Sequence, residues 1–258
     1  MIKHIPHCVM MVKPTHFGFN EETAQNNAFQ NKIDKLSSQI IQDIALLEFE
    51  SMVNQLITNG IEVITYTDEG KTTPDSIFPN NWFSTFTNEL LLYPMFSENR
   101  RLERKPEFYQ DLSNRLDKDI NDSLVGLEEV NEILEGTGSL VCDYESKTAF
   151  AALSERTTPK ALDKFEETSG YSTVRFTSLG PDGKPIYHTN VMLTMAQSFA
   201  VVGLNTIIEE DRDRVKEHLE GLGKELLVLS NEQVYHHFAG NMLQLRNEEG
   251  DVFLVMSK

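Results

Sequence analysis

Tyr187-His188-Thr189-Asn190-Val191-Met192-Leu193 is the stretch on which the fold turns, because three other places in the chain carry worn copies of it. Asn81-Trp82-Phe83, Gly138-Ser139-Leu140, Asn190-Val191-Met192 and Asn241-Met242-Leu243 each set Asn or Gly before an apolar, strand-like run. Each run meets a polar turn and then a second apolar run: Leu90–Tyr93, Phe150–Leu153, Phe199–Val202 and Val252–Met256. The pattern predicts four hairpins of one type.

The spacing from Asn81 to Gly138 is 57 residues, then 52 to Asn190 and 51 to Asn241. Upstream of each hairpin lies a short extended run, and upstream of that a helical stretch. A period of this length, with one helix and three strands per unit, reads as an array or closed ring of repeated units. Repeats that close on a centre bring equivalent turns together. Two residues before the aligned positions stand Pro79, Gly136, His188 and Ala239, so one copy alone carries a His, and Glu135 precedes the Gly136 copy. Histidine moves protons near neutral pH and a carboxylate can orient it, which makes His188 and Glu135 a candidate acid–base pair. The plainer alternative is a hydrogen-bonded His at a strand start and a surface acid in a glycine turn.

Between these copies, Phe29 to Ile57 is expected to be one long helix, with Ile33, Leu36, Ile40, Ile44, Leu47 and Val53 as its apolar face and Asn59-Gly60 as its stop. A second helix after Pro106 is expected to carry Phe108, Leu112, Leu116 and Ile120 on one face, and further helices are expected at Thr158–Thr168 and Glu209–Leu222. His7–Val12 is an extended run that stands alone, with no first strand to make it a hairpin.

A formal net charge of −17 argues against a nucleic-acid partner, since phosphate binding draws on clustered Lys and Arg. The one basic cluster, Arg100-Arg101-Leu102-Glu103-Arg104-Lys105, reads as a solvated helix face. No apolar run approaches the ~18–20 residues of a membrane span, and two cysteines, Cys8 and Cys142, make no disulfide framework, so a soluble cytoplasmic protein is expected. His4, His7, His16, His236 and His237 lack the spacing of a metal site. P-loop, dinucleotide-binding and Gly-x-Ser-x-Gly signatures are missing from the sequence.

Phe78-Pro79-Asn80-Asn81-Trp82, Leu134-Glu135-Gly136-Thr137-Gly138 and Tyr187 to Leu193, in that order, resemble the amidinotransferase and arginine deiminase superfamily, the pentein fold. Met11-Val12-Lys13-Pro14 and Ala239-Gly240-Asn241-Met242-Leu243 fit the same pattern, and the branch most similar is that of bacterial amidinotransferase-like proteins of citrulline utilisation. The resemblance implies an α/β propeller of five pseudo-symmetric ββαβ units around a central site. Residues 1–258 would then be a single domain of four complete repeats plus the N-terminal strand of a fifth.

It further implies a covalent mechanism in which a Cys attacks a guanidino or ureido carbon. His188 matches the family's His and Glu135 its acid, with Asn81, Asn190 and Phe78 as substrate-binding residues; no metal or organic cofactor is implied. Arginine-consuming members carry aspartates where this chain has Asn81 and Asn190. A neutral ureido group suits the two amides, which points to citrulline over arginine. The partner expected is thus a small molecule, with a homodimer an open option.

The family's nucleophile heads the fifth hairpin, which the period places about 51 residues after Asn241, near position ~292 and outside residues 1–258. Without it the chain is expected to be inactive. Arginine deiminase, amidinotransferase and a catalytically inactive ligand-binding homologue are the alternatives.

Overall fold

The computed structural model describes residues 4–24 and 36–257, and its architecture is mixed α/β. All four hairpins are present as antiparallel pairs: β3 (Phe83–Thr85) with β4 (Glu89–Leu92), β6 (Val141–Asp143) with β7 (Thr148–Ala152), β9 (Leu193–Met195) with β10 (Phe199–Val202), and β12 (Met242–Arg246) with β13 (Val252–Met256).

The helices sort the remaining strands. Helix α3 (Pro106–Leu116) returns the chain to β5 (Asp119–Asn121), α5 (Pro159–Ser169) to β8 (Ser172–Phe176), and α6 (Glu209–Gly221) to β11 (Glu225–Val228). Each returning strand lies parallel to the second strand of the preceding hairpin, since a parallel neighbour needs a crossover of this kind. Three sheets therefore have the order ββαβ, while β12–β13 is a hairpin by itself among the described residues. The N-terminal strand β1 (Cys8–Pro14) does not stand alone. It pairs in parallel with β2 (Glu62–Asp68) across α1 (Ser38–Thr58), from Cys8↔Glu62 to Pro14↔Asp68.

Local sequence explains the helix ends. Pro159 fits the first turn of α5 and Gly170 ends it at φ 69°; Ser37 caps α1 by accepting from the Ile40 amide. Helix α5 presses Ala161, Leu162 and Phe165 into a fully buried cluster with Leu91, Tyr93 and Ala149. Truncating Phe165 there would cost about 3–5 kcal/mol.

Two helix readings need correction. Ile120 lies in β5, because α3 stops at Leu116 with Asp117 in the left-handed region, φ 50°. In α1 the face that packs inward is Ala45, Phe49 and Leu56, whereas Ile40, Ile44 and Leu47 are exposed. Helix α1 is apolar on both sides, so its period could not say which side would be covered. The predicted start at Phe29, with Ile33, lies outside the described residues.

The first strand of every sheet turns a face toward one cavity of ≈2310 Å³, which Val9, Ser84, Cys142, Thr194 and Leu243 all line. Among the described residues no helix is long and apolar enough to cross a membrane.

Candidate active site

Three equivalent turns meet at one end of this cavity. Pro79–Asn81 and Thr189–Val191 are single 3-10 turns and α4 (Gly136–Ser139) is one turn of helix; each leads into the first strand of its hairpin. The Thr189 hydroxyl donates to the Ser139 carbonyl at 2.6 Å and accepts from the Ala152 amide at 2.8 Å, locking the His188 turn to the Glu135 turn. Gly136 has φ 45°, a region open to glycine, and Gly138 leaves a slot. A Cβ on Gly138 would lie 2.5 Å from Asn81 Nδ2 and 2.8 Å from His188 Nδ1, so the amide and the imidazole face the same small space.

Glu135 is wholly buried and its carboxylate is the hub. Oε1 accepts from the Phe96 amide at 3.0 Å, and Oε2 lies 2.7 Å from His188 Nε2, 3.5 Å from Arg156 and 3.9 Å from Arg100. Burial alone would raise its pKa, but Arg156, the His188 hydrogen bond and Arg100 outweigh burial and hold it well below the usual carboxylate range. Burial is also the first cause at His188, and with Arg156 and Arg100 it overrides the pull of Glu135 and lowers the pKa to about 4. The pair at neutral pH is thus a carboxylate and a neutral imidazole. A carboxylate only accepts, so Nε2 carries the ring proton and Nδ1, beside the slot, offers a lone pair.

The basic cluster is not a solvated face. Arg100 is 3% exposed: Nε and NH2 form a fork on Glu103 at 3.0 Å each, NH1 donates to Asn81 Oδ1 at 2.7 Å, and NH2 also reaches the Phe78 carbonyl at 3.3 Å. Arg104 pairs with Glu128 and Arg101 donates to the Met95 carbonyl. Helix α2 (Glu98–Arg101) carries Arg100 to the acids of the site, while Arg101 and Arg104 are engaged beside it. Arg156, also buried, stacks 4.8 Å above the Tyr187 ring, and its NH2 donates to the Thr23 carbonyl at 3.3 Å. Asp75 lies 3.9 Å from Arg100 and accepts from Asn20 at 2.7 Å. Burial lifts Glu103 to about 7 against the pull of Arg100, with Asp75 and Glu135 adding to the rise.

Of the residues singled out in the sequence, His188, Glu135 and Asn81 are brought together; Asn190 is half-buried and lines the same cavity, and Phe78 is exposed at its edge. Arg100, Glu103, Arg156 and Asp75 were missed. The available signal was Arg100 and Glu103 one helical turn apart; Arg156 and Asp75 carry none. Cys8 and Cys142 line the cavity, yet burial raises their thiols to about 11 and about 12, with Glu62 and Asp143 adding to the rise. Among the described residues no cluster of His, Cys, Asp and Glu could hold a metal ion.

The family model described as "N,N dimethylarginine dimethylhydrolase, eukaryotic" matches residues 13–258. The chain belongs to this family. The resemblance to the amidinotransferase and arginine deiminase superfamily read from the sequence is borne out. No curated protein sequence matches it.

Among solved structures, the chain resembles apo ArgZ, an arginine dihydrolase from the ornithine-ammonia cycle in cyanobacteria, at 14% identity and TM-score 0.72, over 92% of this chain and 33% of that one. It resembles the product-bound N-terminal domain of ArgZ at 15% identity and TM-score 0.71, over 92% and 80%. A variant dimethylarginine dimethylaminohydrolase, as its adduct with S-methyl-L-thiocitrulline, matches at 14% and 0.64, over 98% and 85%. The chain spans about a third of full-length ArgZ. These likenesses carry the mixed α/β fold.

Proposed function

We propose that this chain forms the substrate-holding and proton-transferring part of a carbon–nitrogen hydrolase acting on the terminal group of a small amino acid, with citrulline preferred. The observation that carries the reading is the Glu135 carboxylate, already shared by His188, Arg156 and Arg100. A substrate guanidinium would meet two uncharged amides, Asn81 and Asn190, beside a carboxylate that Arg156 and Arg100 already face. An unpaired buried cation costs several kcal/mol, about what a preference for a neutral ureido group requires. That group asks for both donors and acceptors, and an Asn amide supplies both.

In this reading a Cys thiolate attacks the ureido carbon, and His188 takes the thiol proton at Nδ1 and gives it to the departing ammonia. His188 then draws a proton from the water that cleaves the covalent adduct, with Glu135 holding the ring throughout. Burial keeps Cys8 and Cys142 as thiols at neutral pH, so the nucleophile of this reading is a Cys other than these two, at the head of the fifth hairpin that the repeat period indicates. A chain lacking that Cys would then bind without turnover.

Calorimetry with citrulline and with arginine, run beside an ammonia-release assay on versions with and without the added Cys segment, tests this. Tighter citrulline binding, and turnover only with the segment, are expected. Tighter binding of arginine would overturn the substrate reading, and ammonia release abolished by Cys142→Ala or Cys8→Ala would overturn the placement of the nucleophile.

A further inference from the structure

Asn81, like His188, is a polar side chain at the Gly138 slot whose orientation another side chain dictates. Arg100 NH1 lies 2.7 Å from its Oδ1, and a guanidinium can only donate. The amide oxygen must therefore face Arg100, and the NH2 is left to face the slot, where it makes no hydrogen bond among the described residues. Arg100 cannot readily turn away, since its other nitrogens are forked onto Glu103 and the whole side chain is 3% exposed.

We infer that Arg100 is a positioning residue that sets substrate choice: by holding the Asn81 amide with its NH2 toward the cavity, it makes this wall of the site a hydrogen-bond donor. The inference rests on the ureido reading above and deepens it. A donor wall meets a ureido oxygen favourably, whereas every nitrogen of a guanidinium presents N–H to it, donor against donor. An amide free to rotate would accept either group, so the chain's preference for an oxygen at this point comes from Arg100 as much as from Asn81. Glu103 acts one step further out, by holding the guanidinium in its plane.

The test is a cycle of variants read by calorimetry. With Arg100→Lys the fork is lost and the amide can flip, so the ratio of citrulline to arginine affinity is expected to fall about tenfold. With Asn81→Asp an oxygen faces the slot in either orientation, the ratio shifts toward arginine, and adding Arg100→Lys moves it no further. A wild-type protein that binds arginine more tightly removes the ureido reading. A protein that prefers citrulline but keeps its ratio in Arg100→Lys, or in which the two changes act independently, overturns this inference alone.

Should Arg100→Lys fail to fold, the unaltered protein still decides. The Asn81 side-chain NH2 protons, assigned by NMR, are expected to exchange freely with water and to become protected on adding citrulline. Protection already present in the free protein overturns the inference.

Discussion

The third and fourth turns, around Asn190 and Asn241, are built alike and do different things. Asn241 donates its amide to the Asn190 carbonyl at 3.2 Å, and the Thr194 hydroxyl donates to the Gly240 carbonyl at 2.5 Å, so the fourth turn is fastened onto the third. Where the third turn has His188, the fourth has Ala239. The repeat thus supplies a docking geometry in which each turn rests on the one before it. At the third turn, neighbouring segments bring Glu135, Arg100 and Arg156 to that geometry and give it charge.

The largest effect is expected at Arg100. Arg100→Ala leaves Glu103 and Asp75 buried without their cation and is expected to cost about 3–5 kcal/mol in chemical denaturation. Ala239→Ser, at the equivalent level of the uncharged turn, should stay within about 0.5 kcal/mol; an equal loss at both places would mean that charge does not distinguish the turns.

Next comes His188. In a version that carries the nucleophilic Cys, His188→Ala is expected to lower ammonia release about a hundredfold or more, while Ala239→His adds nothing, because Glu135 is already engaged at the His188 turn. Unchanged turnover in His188→Ala would remove the residue from the mechanism.

A smaller effect is the pH dependence of stability. His188 has a folded pKa near 4 against an ordinary 6.5, so on acidification the unfolded chain takes up the proton first. Its contribution is intact above about 6.5 and is lost as the pH falls toward 4. Glu103, raised to about 7, acts in the opposite sense, its contribution declining as pH rises from about 4.5. The difference between wild type and His188→Gln isolates the first, and its stability deficit should shrink or reverse as the pH drops from 7 to 4. A difference independent of pH would show that the imidazole is not held neutral.

The smallest expected effect sharpens the contrast. Asn241→Ala removes one hydrogen bond between turns and should cost about 1 kcal/mol without changing ligand binding. Asn81→Ala should weaken citrulline binding and also cost about 1–3 kcal/mol, because it leaves the buried Arg100 NH1 without its acceptor. Calorimetry and denaturation of the two variants together would show whether the same residue type is scaffold in one turn and site in another.

Local chemistry determined what the sequence could tell by itself. Apolar runs broken by Asn88-Glu89 or Gln197-Ser198 make hairpins wherever they sit, Pro159 and Gly170 bound a helix, and the period that carries His188 and Glu135 to one level is visible as spacing. Tertiary structure alone decided the rest, because it depends on what packs against what. The two apolar sides of α1 are equivalent until one meets β1 and β2. Arg100 sits in a run that is basic by composition, and only the fold puts it between Asn81, Glu103 and Glu135, where low dielectric turns a surface charge into the fixed partner of an amide. Glu135 and Arg156 lie 21 residues apart in sequence, and no local signal joins groups at such a distance.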